Sequence, residues 1–147
     1  MSLNPARVGH RYPSFTYEVS REKVREYAAV TGAATAAHHP DPRVVPDADV
    51  PVPPTFAALF ALALERTLHA DPELGAHWNL VHGGQSFTFA RPLRVGDVLV
   101  CTPHIVDITQ RSRMDILTFA VDVTDAADGR EVLRAESTVI FFDDEAA

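Results

Sequence analysis

One cysteine, Cys101, stands in 147 residues, so no disulfide can form within the chain and a reducing compartment suits it. Cys101 falls in an alternating apolar run, which points to a buried structural thiol rather than a nucleophile. Positive charge is also short. Thirteen lysines and arginines against 20 acidic residues leave a formal charge of −7, with no basic run, which excludes a nucleic-acid surface. The longest uncharged apolar stretch, Val50 to Leu64, is too short to span a bilayer. Met1 to Tyr17 holds no apolar h-region of a signal peptide, so a soluble, cytoplasmic protein without a membrane span is expected. A glycine-rich phosphate loop, a G-x-S-x-G elbow, a nucleotide fingerprint and internal repeats are all missing.

What is there is an apolar fraction of 46% with mixed charge, a composition that folds around a core rather than staying disordered. The length fits one domain, 1–147. Phe15 to Val19 reads as a short strand. Ser20 then suits a helix N-cap, with Glu22 in the first turn and Val19 and Val24 at the positions of a hydrophobic staple. Val24, Tyr27, Ala28 and Thr31 recur at helical spacing and Gly32 supplies a stop, which predicts a helix over Arg21 to Thr31. Residues 33–54 hold six of the eleven prolines and read as an extended loop, either a mobile surface segment or a cover over a binding tunnel.

Pro54 and Thr55 open a second helix, expected to run to about His69. Phe56, Leu59, Phe60, Ala63 and Leu64 make its stripe, and almost no polar face precedes Glu65, so burial on most sides is expected. From Leu80 the period changes to two, through Phe87 and Phe89, Val98 to Val106, Leu117 to Val123 and Val132 to Phe142. Turn residues separate these runs, and Pro103 marks an edge or a bulge. Consecutive strands after one buried helix predict an α+β fold with an antiparallel sheet.

The segment Thr31-Gly32-Ala33-Ala34-Thr35-Ala36-Ala37-His38 resembles the S/T-G-D-x-N-P-x-H motif of the MaoC-like (R)-specific enoyl-thioester hydratases and dehydratases. Thr31, Gly32 and His38 match; Ala33 stands at the Asp position, and Thr35 and Ala36 replace Asn and Pro. The resemblance extends to Pro53-Pro54-Thr55-Phe56, to Val81-His82-Gly83-Gly84-Gln85-Ser86-Phe87 and to Arg91-Pro92-Leu93-Arg94-Val95-Gly96-Asp97. Those segments are similar to an actinobacterial FAS1-like dehydratase N-terminal-domain subgroup, akin to the accessory subunits of mycolic-acid (3R)-hydroxyacyl dehydratases. The resemblance implies a single hot-dog domain, a curled sheet around a long central helix. It also implies an acyl-CoA or acyl-carrier-protein (ACP) ligand, no cofactor, and pairing as a homodimer or with another hot-dog chain.

Under that resemblance His38 is the candidate general acid and base, with His39 one residue away as a substitute. The amides of Thr55 and Phe56 at the helix start would serve a thioester oxyanion. His82 and Gly83 would touch the thioester or its pantetheine arm. Against each stands a plainer role: loop histidines for His38 and His39, a helix cap for Thr55, a bulge for His82 and Gly83. Arg91, Arg94 and Arg113 could meet phosphates of the carrier or be ordinary surface residues. A metal site built on His38, His39, Asp41, Asp47 and Asp49 lacks the usual ligand spacing, and none is expected. An Ala–His pair without the carboxylate leaves two readings open. One is a dehydratase or hydratase component, incomplete alone. The other is a non-catalytic acyl-binding subunit that stabilises a catalytic partner. A thioesterase would need a carboxylate near the helix start, and Glu65 lies too far along.

Overall fold

The computed structural model describes residues 2–143, with residues 61–66 described by backbone alone. Helix α1 spans Arg21–Thr31, as its local signals predict. Ser20 Oγ accepts a hydrogen bond from the Lys23 amide at 3.3 Å, and Gly32 ends the helix in the left-handed region at φ 74°. Val24 and Ala28 turn to the core and are fully buried.

Five strands follow the order β1-β3-β4-β5-β2, every neighbouring pair antiparallel. They are β1 (Phe15–Glu18), β2 (Leu80–Phe89), β3 (Val98–Gln110), β4 (Met114–Asp125) and β5 (Glu131–Phe142). Helix α2, Ala58–Ala70, lies against β4 and β5, which is the hot-dog arrangement expected. Phe56, Phe60 and Leu68 are buried between helix and sheet. Each contributes about 2–3 kcal/mol of apolar burial. Tyr17 meets Phe60 edge-on at 5.0 Å, and Tyr27 meets Phe56 at 5.4 Å, so α1 and β1 close one end of the core.

Two boundaries differ from expectation. The second helix opens as a 3₁₀ turn over Pro54–Ala57, because the Phe56 amide reaches the Pro53 carbonyl only three residues back. Strand β3 runs on to Gln110, and its irregularity lies between Ile105 and Asp107 rather than at Pro103. An extended residue points its N–H and C=O to one side. The Pro103 carbonyl accepts from Tyr12, so its missing donor faces the N-terminal segment and β4 loses no bond.

That N-terminal segment is fastened by two carboxylates. Asp115, itself buried, accepts from the Leu3 amide at 2.6 Å and from Ser2 Oγ at 2.7 Å. Asp71, just past α2, accepts from Arg7 at 2.7 Å, from Tyr12 Oη at 2.8 Å and from the Glu73 amide at 3.0 Å. Burial would raise the Asp71 carboxyl, but these bonds outweigh it and hold it below the usual carboxylate range. The same burial and the same carboxylate push the Tyr12 phenol well up.

A carboxyl lowered in the folded state stabilises the fold above its unfolded pKa. That contribution is lost as pH falls below about 4. Asp71→Asn should therefore cost about 2 kcal/mol at neutral pH and flatten the acid side of the stability profile. Denaturant melts from pH 7 down to 3 check this; parallel profiles for the two proteins would refute the clamp.

Candidate functional site

Strand β2 carries the site because it is irregular. Its register against β5 shifts between His82 and Gly84, so one extra residue is accommodated there. Side chains alternate along a strand, and the insertion reverses that parity. Leu80 and His82 face one way before the bulge, and Gln85 faces the same way after it. All three line an apolar cavity of about 390 Å³ between α2 and the sheet, with Phe119, Val139 and Phe141 on its other walls. Gln85 pairs across the strands with Ser137, whose Oγ lies 2.5 Å from Gln85 Oε1. Gly83 is the bulge itself. A Cβ there would come within 3.1 Å of Ile140, tighter than a close-packed side chain normally allows.

His38 lies elsewhere. It is 8% exposed, in a 3₁₀ turn over Ala36–His38, and both ring nitrogens are engaged by backbone. Nδ1 accepts from the Thr35 amide at 3.1 Å, and Nε2 lies 2.9 Å from the Pro51 carbonyl. An amide only donates and a carbonyl only accepts, so the proton sits on Nε2. The ring therefore ties the two ends of the proline-rich segment together. Arg21 donates to the carbonyls of His39 and Val45 and to Asp47, and Arg25 donates to the His38 carbonyl at 3.1 Å. The segment is thus held on α1, and its Val45, Val50 and Val52 join the core.

Of the other residues singled out in the sequence, only His82 reaches the cavity. Ala33 is exposed just past α1, its amide bound to the Ala28 carbonyl at 2.8 Å. The Phe56 amide is spent on Pro53 and its ring is in the core, while the Thr55 carbonyl accepts from Tyr27 Oη at 2.8 Å. The helix enters the cavity wall one turn later, at Ala58. His82 is exposed at the rim. His39 Nδ1 accepts from the Asp41 amide, Asp41 pairs with Arg43 and Asp47 with Arg21, and no metal-ligand group occurs among the described residues. Arg91 is locked between Asp97 and Asp125 at 2.8 and 2.9 Å, leaving Arg94 and Arg113 exposed. The Glu65 side chain lies outside the described residues. No helix among the described residues is long and apolar enough to cross a membrane.

A family model for the FAS1-like dehydratase domain region matches residues 6–134. The chain belongs to this dehydratase-region family. It is 37% identical over 145 residues to a UPF0336 protein of Saccharopolyspora erythraea, covering 95% of this chain and 92% of that one. A UPF0336 protein of Streptomyces coelicolor is 36% identical, with 95% of both chains covered. Among solved structures, a MaoC-like dehydratase superposes with a TM-score of 0.79 at 30% identity; 95% of this chain matches 43% of that longer one. The C-terminally truncated HadBC (3R-hydroxyacyl-ACP dehydratase) complex of Mycobacterium tuberculosis gives 0.74 at 26% identity, covering 91% of this chain and 96% of that chain. Within this dehydratase-region protein, sequence reasoning singled out His82 and Gly83 but gave no role to Gln85 and passed over Ser137. The signal for Ser137 was present: it is the one polar residue in the inward alternation Leu133, Ala135, Ser137, Val139, Phe141.

Cys101 is fully buried as expected, and burial pushes its thiol up to about 12. It should resist Ellman's reagent at pH 8 until the protein unfolds. His38→Ala should cost about 1 kcal/mol, because two part-buried backbone groups lose their hydrogen-bond partner. Limited proteolysis should then cut first within residues 33–54. An unchanged melt for the variant would show that the ring ties nothing.

Proposed function

We propose that this chain is the acyl-binding, non-catalytic hot-dog subunit of a (3R)-hydroxyacyl-thioester dehydratase. It completes an active enzyme with a second hot-dog chain that carries both Asp and His. Dehydration removes a proton at C2 and protonates the departing C3 hydroxyl, so it needs a group free to exchange protons with the substrate. The observation that carries the reading is the combination at the family motif. A methyl, Ala33, stands at the acid position, and the His38 ring already spends both nitrogens on backbone, while the apolar cavity is kept. Binding surface is retained and proton-transfer machinery is not.

Strand β2 supports a hot-dog partner. Among the described strands it pairs only with β5, so its outer edge offers free amides and carbonyls beside the cavity. Pairing there would set a second chain's residues close to His82 at the cavity rim. The ligand is an acyl thioester on coenzyme A or acyl carrier protein, in a cytoplasmic setting. The relation to the HadBC complex is in keeping with a component that acts as one of a pair.

The purified chain alone should not hydrate crotonyl-CoA above the buffer rate. Co-expressed with a hot-dog chain holding the full motif, it should form a complex whose activity falls by about 10² or more when the partner's His is replaced. Ala33→Asp in the isolated chain should leave it inactive, since the His38 ring stays engaged. Hydration by the isolated chain that is lost in His38→Asn would overturn this reading.

A further inference from the structure

The cavity wall contains a polar pair whose donors and acceptors can be assigned. Gln85 Nε2 lies 2.9 Å from the Glu136 carbonyl. A carbonyl only accepts, so the amide nitrogen must be the atom facing it, and the amide oxygen faces Ser137. That oxygen only accepts, so the Ser137 hydroxyl spends its single proton on Gln85 at 2.5 Å. No other hydrogen bond reaches Ser137 Oγ among the described residues, and the residue is 1% exposed. No donor is bonded to its lone pairs, in a wall that also holds Leu68, Leu80, Phe119, Val139 and Phe141, with the imidazoles of His69 and His82. An unmet buried acceptor costs free energy that a ligand's donor can recover.

We infer that Gln85 and Ser137 form a hydroxyl-recognition subsite, which makes this cavity select acyl chains bearing a hydroxyl over saturated or enoyl chains of the same length. The inference rests on the acyl-binding reading above and deepens it. Gln85 acts as a positioning residue: it takes the serine proton and fixes the hydroxyl as an acceptor. Ser137 accepts from the ligand. A carbonyl or a C=C bond has no proton to offer, so neither gains from this pair. The arrangement depends on the bulge at His82–Gly84, which turns Gln85 inward to meet Ser137. The direction of preference follows: the chain holds the hydroxyacyl form and releases the dehydrated one.

The test is binding of (3R)-3-hydroxydecanoyl-CoA, decanoyl-CoA and trans-2-decenoyl-CoA to the 147-residue chain, read by calorimetry and by the fluorescence of Trp78, the only tryptophan in the sequence. The hydroxy ligand should bind on the order of tenfold tighter than the other two, the worth of one well-placed buried hydrogen bond. Ser137→Ala should bring the three affinities together by weakening the hydroxy ligand about tenfold. Gln85→Leu, with the serine kept, should reduce the preference, because the freed serine proton can then serve ligands that only accept. Equal affinities in the wild-type protein, or a preference that survives Ser137→Ala, would overturn the hydroxyl subsite and leave acyl binding standing. Failure of all three thioesters to bind would overturn both.

Discussion

An apolar helix with little polar surface can be stable in water only if something covers it, and here the cover is the sheet. Phe56 and Phe60 insert among Tyr17, Tyr27, Leu99, Val121 and Leu133, while Leu68 meets Ile105, Leu117, Phe119 and Phe141. The two groups lie at opposite ends of α2, so the helix acts as the axis on which both halves of the core are assembled. Strand order, the seating of α1 and the carboxylate clamps on the N-terminal segment all follow from that demand for cover. Packing at this density leaves few voids, so a cavity of about 390 Å³ beside the same helix is a feature to be explained rather than slack.

The explanation lies in the glycines of β2. A regular strand would present either His82 or Gln85 to the helix side, never both, because their separation is odd. The extra residue at the bulge lets both face inward, at the cost of one disturbed step in the ladder with β5. Gly83 is suited to this place because Ile140 stands so close that a larger residue would force it aside. Disturbing one step of hydrogen bonding thus gives the cavity its rim imidazole and its polar pair together.

The segment that resembles the MaoC-like motif does structural work here. In the segment after α1, His38 closes the turn through Thr35 and reaches Pro51, and Arg21 and Arg25 hold the neighbouring carbonyls. Six prolines stiffen the segment but remove amide donors, so its carbonyls need partners from outside. Two arginines and one imidazole supply them. Once a ring is committed to backbone in this way, the geometry that favours stability opposes proton transfer. The proposed division of labour between two chains rests on this committed ring together with Ala33.

Local signals in the sequence determined the elements. Ser20 and Gly32 bound α1 at the residues expected, alternation placed four of the five strands to within a few residues, and the apolar stripe of the second helix put Phe56 and Phe60 in the core, its Ala63 and Leu64 side chains lying outside the described residues. The FAS1-like dehydratase relationship was legible in three short motifs. Tertiary structure alone decided the rest. It set the 3₁₀ opening before α2, moved the β3 irregularity to Ile105–Asp107, turned His38 onto Thr35 and Pro51, and brought Gln85 against Ser137. Each of these depends on a partner far along the chain, with Gln85 and Ser137 separated by 52 residues. Periodicity reports which face a residue prefers; it carries no information about which atom waits on the other side.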